Sequence, residues 1–224
     1  MLNNKIVGII PVKVKSERVK NKNFRKFNNT SLFELKLRQL RNTKEFDRFV
    51  VSSESEKVLK KAQNLGFDVH YRDPKYSTSL VNMSSVYKNI ASEINCKYLA
   101  WINVTNPLFE TKNYDLAAKI FKKLDKSKFD CLLSTFEIKD YFFHKKKPLN
   151  FKRTPWARSQ DLIGLQSLSF AINILSKKNM VKWQSCVGKN PYLLQFSQLE
   201  SWDIDFNHDF KFCEYMFKNK NKFY

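Results

Sequence analysis

The chain has 224 residues, of which 42% are hydrophobic, and 41 Lys and Arg against 21 Asp and Glu give it a net charge of +20. This length and apolar content suit one large domain with a sizeable core, while no apolar run approaches the roughly 18–20 residues of a membrane span. The run Ile6 to Val12 is too short for a secretory leader, so a cytoplasmic protein that does not engage membranes is expected.

The excess charge is mostly Lys, spread along the chain among abundant Asn, which reads as compositional bias. Such a field gathers anionic small molecules, and no specific nucleic-acid partner is expected. Cys96, Cys131, Cys186 and Cys213 lie far apart without metal-ligand spacing, which predicts reduced thiols in or near the core.

In chain order, Lys5 to Val12 is the kind of apolar run that is buried on both faces of a parallel sheet. Lys13 to Asn29 is polar, basic and without apolar periodicity, and reads as a long functional loop. Ser31 is the expected N-cap of a helix marked by Leu32, Leu35, Leu37 and Leu40, running to about Asn42. A strand over Asp47 to Ser52 precedes a helix over Glu54 to Asn64 that Gly66 ends. A short strand follows at Asp68 to Tyr71, then a helix over Ser84 to Glu93 and a strand over Tyr98 to Val104. A helix over Asn113 to Leu124 leads to a strand over Asp130 to Phe136.

Glu137 to Leu165 breaks this rhythm and reads as a hairpin-like excursion. Strands at Leu168 to Leu175 and Pro191 to Phe196 and a helix over Phe206 to Phe217 complete the chain. Alternating strands and helices predict βαβ units, a mostly parallel sheet and a ligand crevice at the carboxyl ends of the strands. One domain over residues 1–224 is expected, with the excursion at about 137–165.

Two constellations carry chemistry. Asp203 and Asp205 flank Ile204, and in extended backbone both carboxylates face one side. Such a pair suits a hard divalent cation that takes substrate phosphates as further ligands. The competing reading is a solvated turn with Asp205 as a helix N-terminal charge. Lys13, Lys15, Arg18 and Lys22 follow a buried strand where cations and backbone amides meet a triphosphate, or they form a plain basic loop. His70, His144 and His208 stand alone, without a visible nucleophile partner. No Gly-x-Ser-x-Gly elbow or Walker loop is present.

Taken in order, several segments resemble the acylneuraminate cytidylyltransferase family, which includes CMP-sialic acid synthetases and is close to CMP-Kdo synthetases. After Ile9-Ile10-Pro11, the stretch Lys13 to Asn23 resembles the family's P-A-R-G-G-S-K-R-x-P-x-K-N loop, matching at Ser16, Arg18, Lys22 and Asn23. Phe49 to Glu54 resembles V-V-S-T-D-D, Arg72 and Pro74 an R-P pair, and Ile102 to Leu108 L-Q-P-T-S-P-L. Pro148 to Asn150 with Arg158 to Leu162 resembles the projecting P-x-N … R-x-Q-D-L segment. Gly188 to Tyr192 and Glu200 to Asp205 complete the series.

The resemblance implies a Rossmann-like α/β nucleotidyltransferase fold, a mostly parallel sheet with helices on both faces and a projecting segment used for homodimerisation. It implies transfer of CMP from CTP to an acidic sugar or related anionic precursor for bacterial surface glycan synthesis, with release of pyrophosphate. Asp203 and Asp205 would hold Mg2+, Lys22 would stabilise the transferring phosphate and Arg18 the pyrophosphate, with Lys13 at the family's Arg position. Pro11, Ser16, Asn23 and Ser52 would line the nucleotide pocket. Asn103, Arg72, Arg158 and Gln160 would meet the acidic substrate. Val14 and Lys15 replace the loop glycines, so the loop is expected to approach phosphate along a different path. A diverged, non-catalytic nucleotide-binding homologue is the alternative, and a basic nucleic-acid-binding domain a third.

Overall fold

The computed structural model describes residues 5–78 and 80–220. Strand β1 (Ile6–Pro11) is buried along its length except at Pro11. A hairpin of two-residue strands, β2 (Lys26–Phe27) and β3 (Thr30–Ser31), interrupts the expected long loop. Helix α1 (Leu32–Arg41) starts at Ser31, whose Oγ accepts the Glu34 amide at 3.2 Å, the expected cap. Next come β4 (Arg48–Ser53), α2 (Glu56–Asn64), β5 (Asp68–Tyr71), α3 (Met83–Glu93) and β6 (Tyr98–Trp101). Gly66 takes φ +84° just past α2, the left-handed turn that glycine accepts at least cost.

The second half holds α4 (Thr111–Lys123), β7 (Cys131–Ile138), a small hairpin of β8 (Phe143–His144) with β9 (Lys147–Pro148), β10 (Leu165–Ser176), α5 (Lys177–Trp183), β11 (Pro191–Gln195) and α6 (Asn207–Lys218). The seven main strands form one sheet in the order β11-β7-β10-β6-β1-β4-β5. All neighbours are parallel except β10, which is antiparallel to both β6 and β7. One core packs α1, α2, α4 and α6 on one face of the sheet, and a second packs α3 and α5 on the other. Gly8 lets the Phe49 ring lie against β1, since a Cβ there would stand 2.3 Å from the ring.

Three expectations are corrected. The strand expected to reach Val104 ends at Trp101: the Ile102 amide still donates to the Ile9 carbonyl at 2.9 Å, and the chain then turns away at Asn103. The strand expected from Leu168 begins at Leu165, because β7 runs on to Ile138 and offers it partners. Helix α5 was not expected. It is short and polar with one buried residue, Met180, and is started by Ser176 accepting the Asn179 amide.

Candidate active site

The chain runs from β1 to β4 and β5 on one side, then crosses to β6 on the other. That reversal opens a crevice at the carboxyl ends of β1 and β6, where open α/β sheets bind ligands. A cavity of about 620 Å3 lies there, reached by Pro11 and Lys13 from β1 and by Asn103 and Thr105 from β6. It also gathers Ser16, Arg18, Lys22, Asn23, Asp203 and Asp205. The crevice expected from alternating strands and helices is therefore present, and both constellations open into it.

The basic loop is tied at both ends. Arg72, 4% exposed, donates to the Val12 carbonyl at 2.9 Å and pairs with Glu54 at 3.1 Å. Glu54 in turn accepts the Val14 amide at 2.8 Å. At the far end Asn23 Nδ2 donates to the Lys13 carbonyl at 3.1 Å, closing the loop on itself. No residue from Lys13 to Lys20 has positive φ, and the left-handed residues fall later, at Asn21, φ 54°, and Asn28, φ 50°. The loop thus follows a path open to Val14 and Lys15, which needs no glycine.

Across the cavity, Lys22 Nζ donates to the Ile204 carbonyl at 2.5 Å and stands 3.7 Å from Asp205 Oδ1, while Arg18 pairs with that oxygen at 2.8 Å. Asp203 is largely buried beside the Thr105 side chain. Its Oδ1 is buried with no hydrogen-bond partner among the described residues. Burial raises the Asp203 carboxyl above its usual range, against the opposing pull of Thr105 and Lys22. Burial also lowers the Lys22 ammonium, with Arg18 and Lys13 pushing the same way and the two aspartates opposing. Each charge is thus short of compensation in the protein alone. A cation at the carboxylates and a phosphate at the lysine would relieve both. Among the described residues no three His, Cys, Asp or Glu side chains converge as a metal site. The two carboxylates fit a hard divalent ion that takes its other ligands from phosphate and water. Asp205 stands two residues before the last helix, but it is not the residue that caps it. Asp209 does that work, with Oδ2 accepting the amides of Phe206 at 2.7 Å and Asp205 at 3.1 Å.

Much of the remaining wall is apolar. Tyr87 packs edge-on against Trp101, ring centroids 4.5 Å apart, and Val81, Met83, Val86 and Phe170 continue the surface. Trp101 Nε1 donates to Asn103 Oδ1 at 3.2 Å and fixes that side chain. Phe170 sits in a bulge of β10, where five residue steps from Leu168 to Asn173 oppose two on β7. It takes φ 55°, an uncommon state for an aromatic residue. Phe170→Ala and Phe170→Gly both remove the ring and differ in backbone freedom. In urea unfolding the glycine variant is expected to be the more stable by about 1 kcal/mol, the reverse of the order in regular strands. Equal midpoints would show that the left-handed backbone is not strained in solution.

Four of the expected site residues stand elsewhere or are otherwise engaged. Ser52 is fully buried and bonds His70 Nδ1 at 2.9 Å, so it does not reach the cavity. Arg72 reaches it only as the clamp just described. Arg158 and Gln160 lie in the excursion, away from the cavity, with Arg158 paired to Asp161 at 2.6 Å. His70 is not alone, because its Nε2 meets Glu93 at 2.7 Å. Ser52 at the other end is sealed from solvent and offers no nucleophile.

Two further residues stand directly behind the site: Lys36, which no motif marks, and Asn106 of the Ile102 to Leu108 segment. Lys36 is 0% exposed, with Nζ donating to the Asn106 carbonyl at 2.8 Å and to the Tyr114 hydroxyl. Asn106 is buried beside Thr105. The available signal was spacing: Lys36 falls midway along the i, i+4 stripe between Leu32 and Leu40, where an apolar residue belongs.

Comparison with known proteins agrees with this geometry. A family model described as cytidylyltransferase matches residues 7–163, well over half of the chain. The post-translational flagellin modification protein B of Campylobacter coli is 24% identical over 222 residues, with 92% of each chain covered. The structure of CMP:2-keto-3-deoxy-manno-octonic acid synthetase complexed with CTP superposes with a TM-score of 0.72 at 9% identity, covering 96% of this chain and 99% of that one. The 4-diphosphocytidyl-2C-methyl-D-erythritol synthase of Anaerococcus prevotii superposes with a TM-score of 0.66 at 9% identity, covering 97% of this chain and all of that one. With the basic loop facing the acidic pair at the switch point of a nucleotidyltransferase sheet, the chain belongs to the cytidylyltransferase family of CTP-using enzymes.

Proposed function

We propose that this protein transfers CMP from CTP to an acidic sugar of the ulosonic class, for bacterial surface glycan synthesis. The observation that carries the proposal is the meeting of Lys13, Arg18 and Lys22 with Asp203 and Asp205 at one cavity mouth. The acceptor's anomeric hydroxyl attacks the α-phosphorus of CTP, the bond to the bridging oxygen breaks, and pyrophosphate leaves. Lys22 holds the transferring phosphate, while Arg18 and Lys13 hold the departing pyrophosphate. Ser16, Asn23 and Pro11 shape the nucleotide side. Asn103 and the apolar wall face the acceptor. Asp203 and Asp205 hold Mg2+, which neutralises charge on the α-phosphate when bound. An acidic acceptor is supported by the octonic acid in the name of the superposed synthetase, and a cell-surface role by the flagellin modification in the name of the Campylobacter relative.

The protein works as a cytoplasmic homodimer of single-domain chains. The excursion presents Phe143, Leu149, Trp156 and Ile163 to solvent, an apolar face of the kind that a second copy covers. Asn150 closes it by accepting the Phe142 amide and donating to the Asp140 and Ile163 carbonyls. From there Arg158 and Gln160 reach the partner's acidic substrate.

The test is pyrophosphate release from each nucleoside triphosphate with Mg2+ and a panel of ulosonic and phosphorylated acids. Release with CTP and an ulosonic acid is expected. CTP binding with no release for any acceptor would replace this reading with a non-catalytic nucleotide-binding role.

A further inference from the structure

Asn106 lies where four segments meet. Its side-chain amide, fully buried, donates toward the Ser169 carbonyl at 3.2 Å, the Ser201 carbonyl at 3.3 Å and the Trp202 carbonyl at 3.2 Å. Two of these carbonyls immediately precede Asp203, and the third precedes Phe170. Its own carbonyl accepts from Lys36 Nζ on α1. The neighbouring Thr105 completes the link, because its carbonyl accepts the Ile204 amide at 3.0 Å, in the middle of the acidic pair. One amide has only two hydrogens for three carbonyls, so the segments of this junction share its donors.

Lys36 is out of place on packing grounds. Its neighbours on the stripe, Leu32 and Leu40, are fully buried core residues, and a third apolar side chain would complete the face. Taking an ammonium out of water is costly, and replacing buried charges by apolar groups often leaves stability unchanged or raised. Hard divalent ions demand near-ideal ligand geometry, which gives a reason to hold the acidic segment rigidly from behind.

We propose that Lys36 and Asn106 are positioning residues, a buried pair that sets where Asp203 and Asp205 stand for a phosphate-bound divalent cation. The inference rests on the cation role given to those carboxylates, and it does not depend on which acceptor the enzyme uses. Lys36 holds the backbone of Asn106, and Asn106 holds the chain entering Asp203. Neither side chain touches substrate.

The test is calorimetric CTP binding by the full chain, with Mg2+ and with EDTA, in wild type, Lys36→Met, Asn106→Ser and the double variant. Wild type should bind CTP more tightly with Mg2+. Each single variant should lose about 10–100-fold of that Mg2+-dependent gain, the usual effect of removing a partner behind a metal ligand. Binding in EDTA should stay within about twofold, and the double variant should lose no more than the worse single one. Should Lys36→Met not fold, Lys36→Gln, which keeps a donor, replaces it and should retain part of the gain. An undiminished Mg2+ effect in the folded variants, or an equal loss in EDTA, overturns the proposal. Wild-type CTP binding indifferent to Mg2+ overturns it together with the cation role. Mg2+-dependent binding that needs Lys36, without pyrophosphate release for any acidic acceptor, would leave this inference standing and remove only the acceptor assignment.

Discussion

Asp205→Asn is expected to lower turnover by about 10²–10³-fold or more, the scale of losing one electrostatic contact to the transition state, while the protein stays folded. The carboxylate is 41% exposed and its bond to Arg18 is at the surface, so little stability depends on it. The helix behind it is capped by Asp209 and keeps its start. Asp203→Asn should be at least as damaging to turnover, and it removes a buried charge whose carboxyl is already pushed up by desolvation. Steady-state pyrophosphate release beside a thermal melt separates the two effects. Undiminished turnover in a folded Asp205→Asn protein would remove the residue from the cation site.

The second large effect concerns stability and pH. Burial lowers the Lys36 ammonium from 10.5 to about 7, with Asp203 pulling weakly the other way. Between those values the unfolded chain binds a proton that the folded chain has released, so stability rises with pH across the window from about 7 toward 10.5. The limiting slope is about 1.4 kcal/mol per pH unit, and about 1–2 kcal/mol is expected between pH 7.5 and 9. Lys36→Met should flatten that rise. Lys22, also lowered by burial, is present in both proteins and cancels in the comparison. Parallel pH profiles of urea stability for the two proteins would show that Lys36 does not titrate in this range.

What could be read in advance divides along physical lines. An element with strong periodicity and a local cap, such as α1 behind Ser31, stands where the pattern puts it. The basic loop and the acidic pair, 180 residues apart along the chain, could be linked only through their resemblance to a known family, because spacing says nothing about non-local meeting. The direction of β10 and its bulge depend on pairing with β7, which no local propensity encodes. The clamp made by Arg72, which also lines the cavity, is invisible in sequence, because an exposed arginine and a buried one look alike until Glu54 and the Val12 carbonyl are beside it. Lys36 was hidden for the opposite reason: in a chain with 41 basic residues one more lysine attracts no notice.

The tethering of the basic loop bears on the entropy of nucleotide capture. Ordering a residue costs roughly 1–2 kcal/mol of backbone freedom. At Val12, Val14, Lys22 and Asn23 the ties to Arg72, Glu54, Ile204 and Lys13 meet that cost when the protein folds. Val14 and Lys15 narrow the wandering of the unfolded chain more than glycines there would. What is left to settle on an arriving triphosphate is the short arc from Lys15 to Glu17. The loop is therefore pre-shaped by anchors and stiff residues, a different solution from a flexible glycine cradle that sets around its ligand.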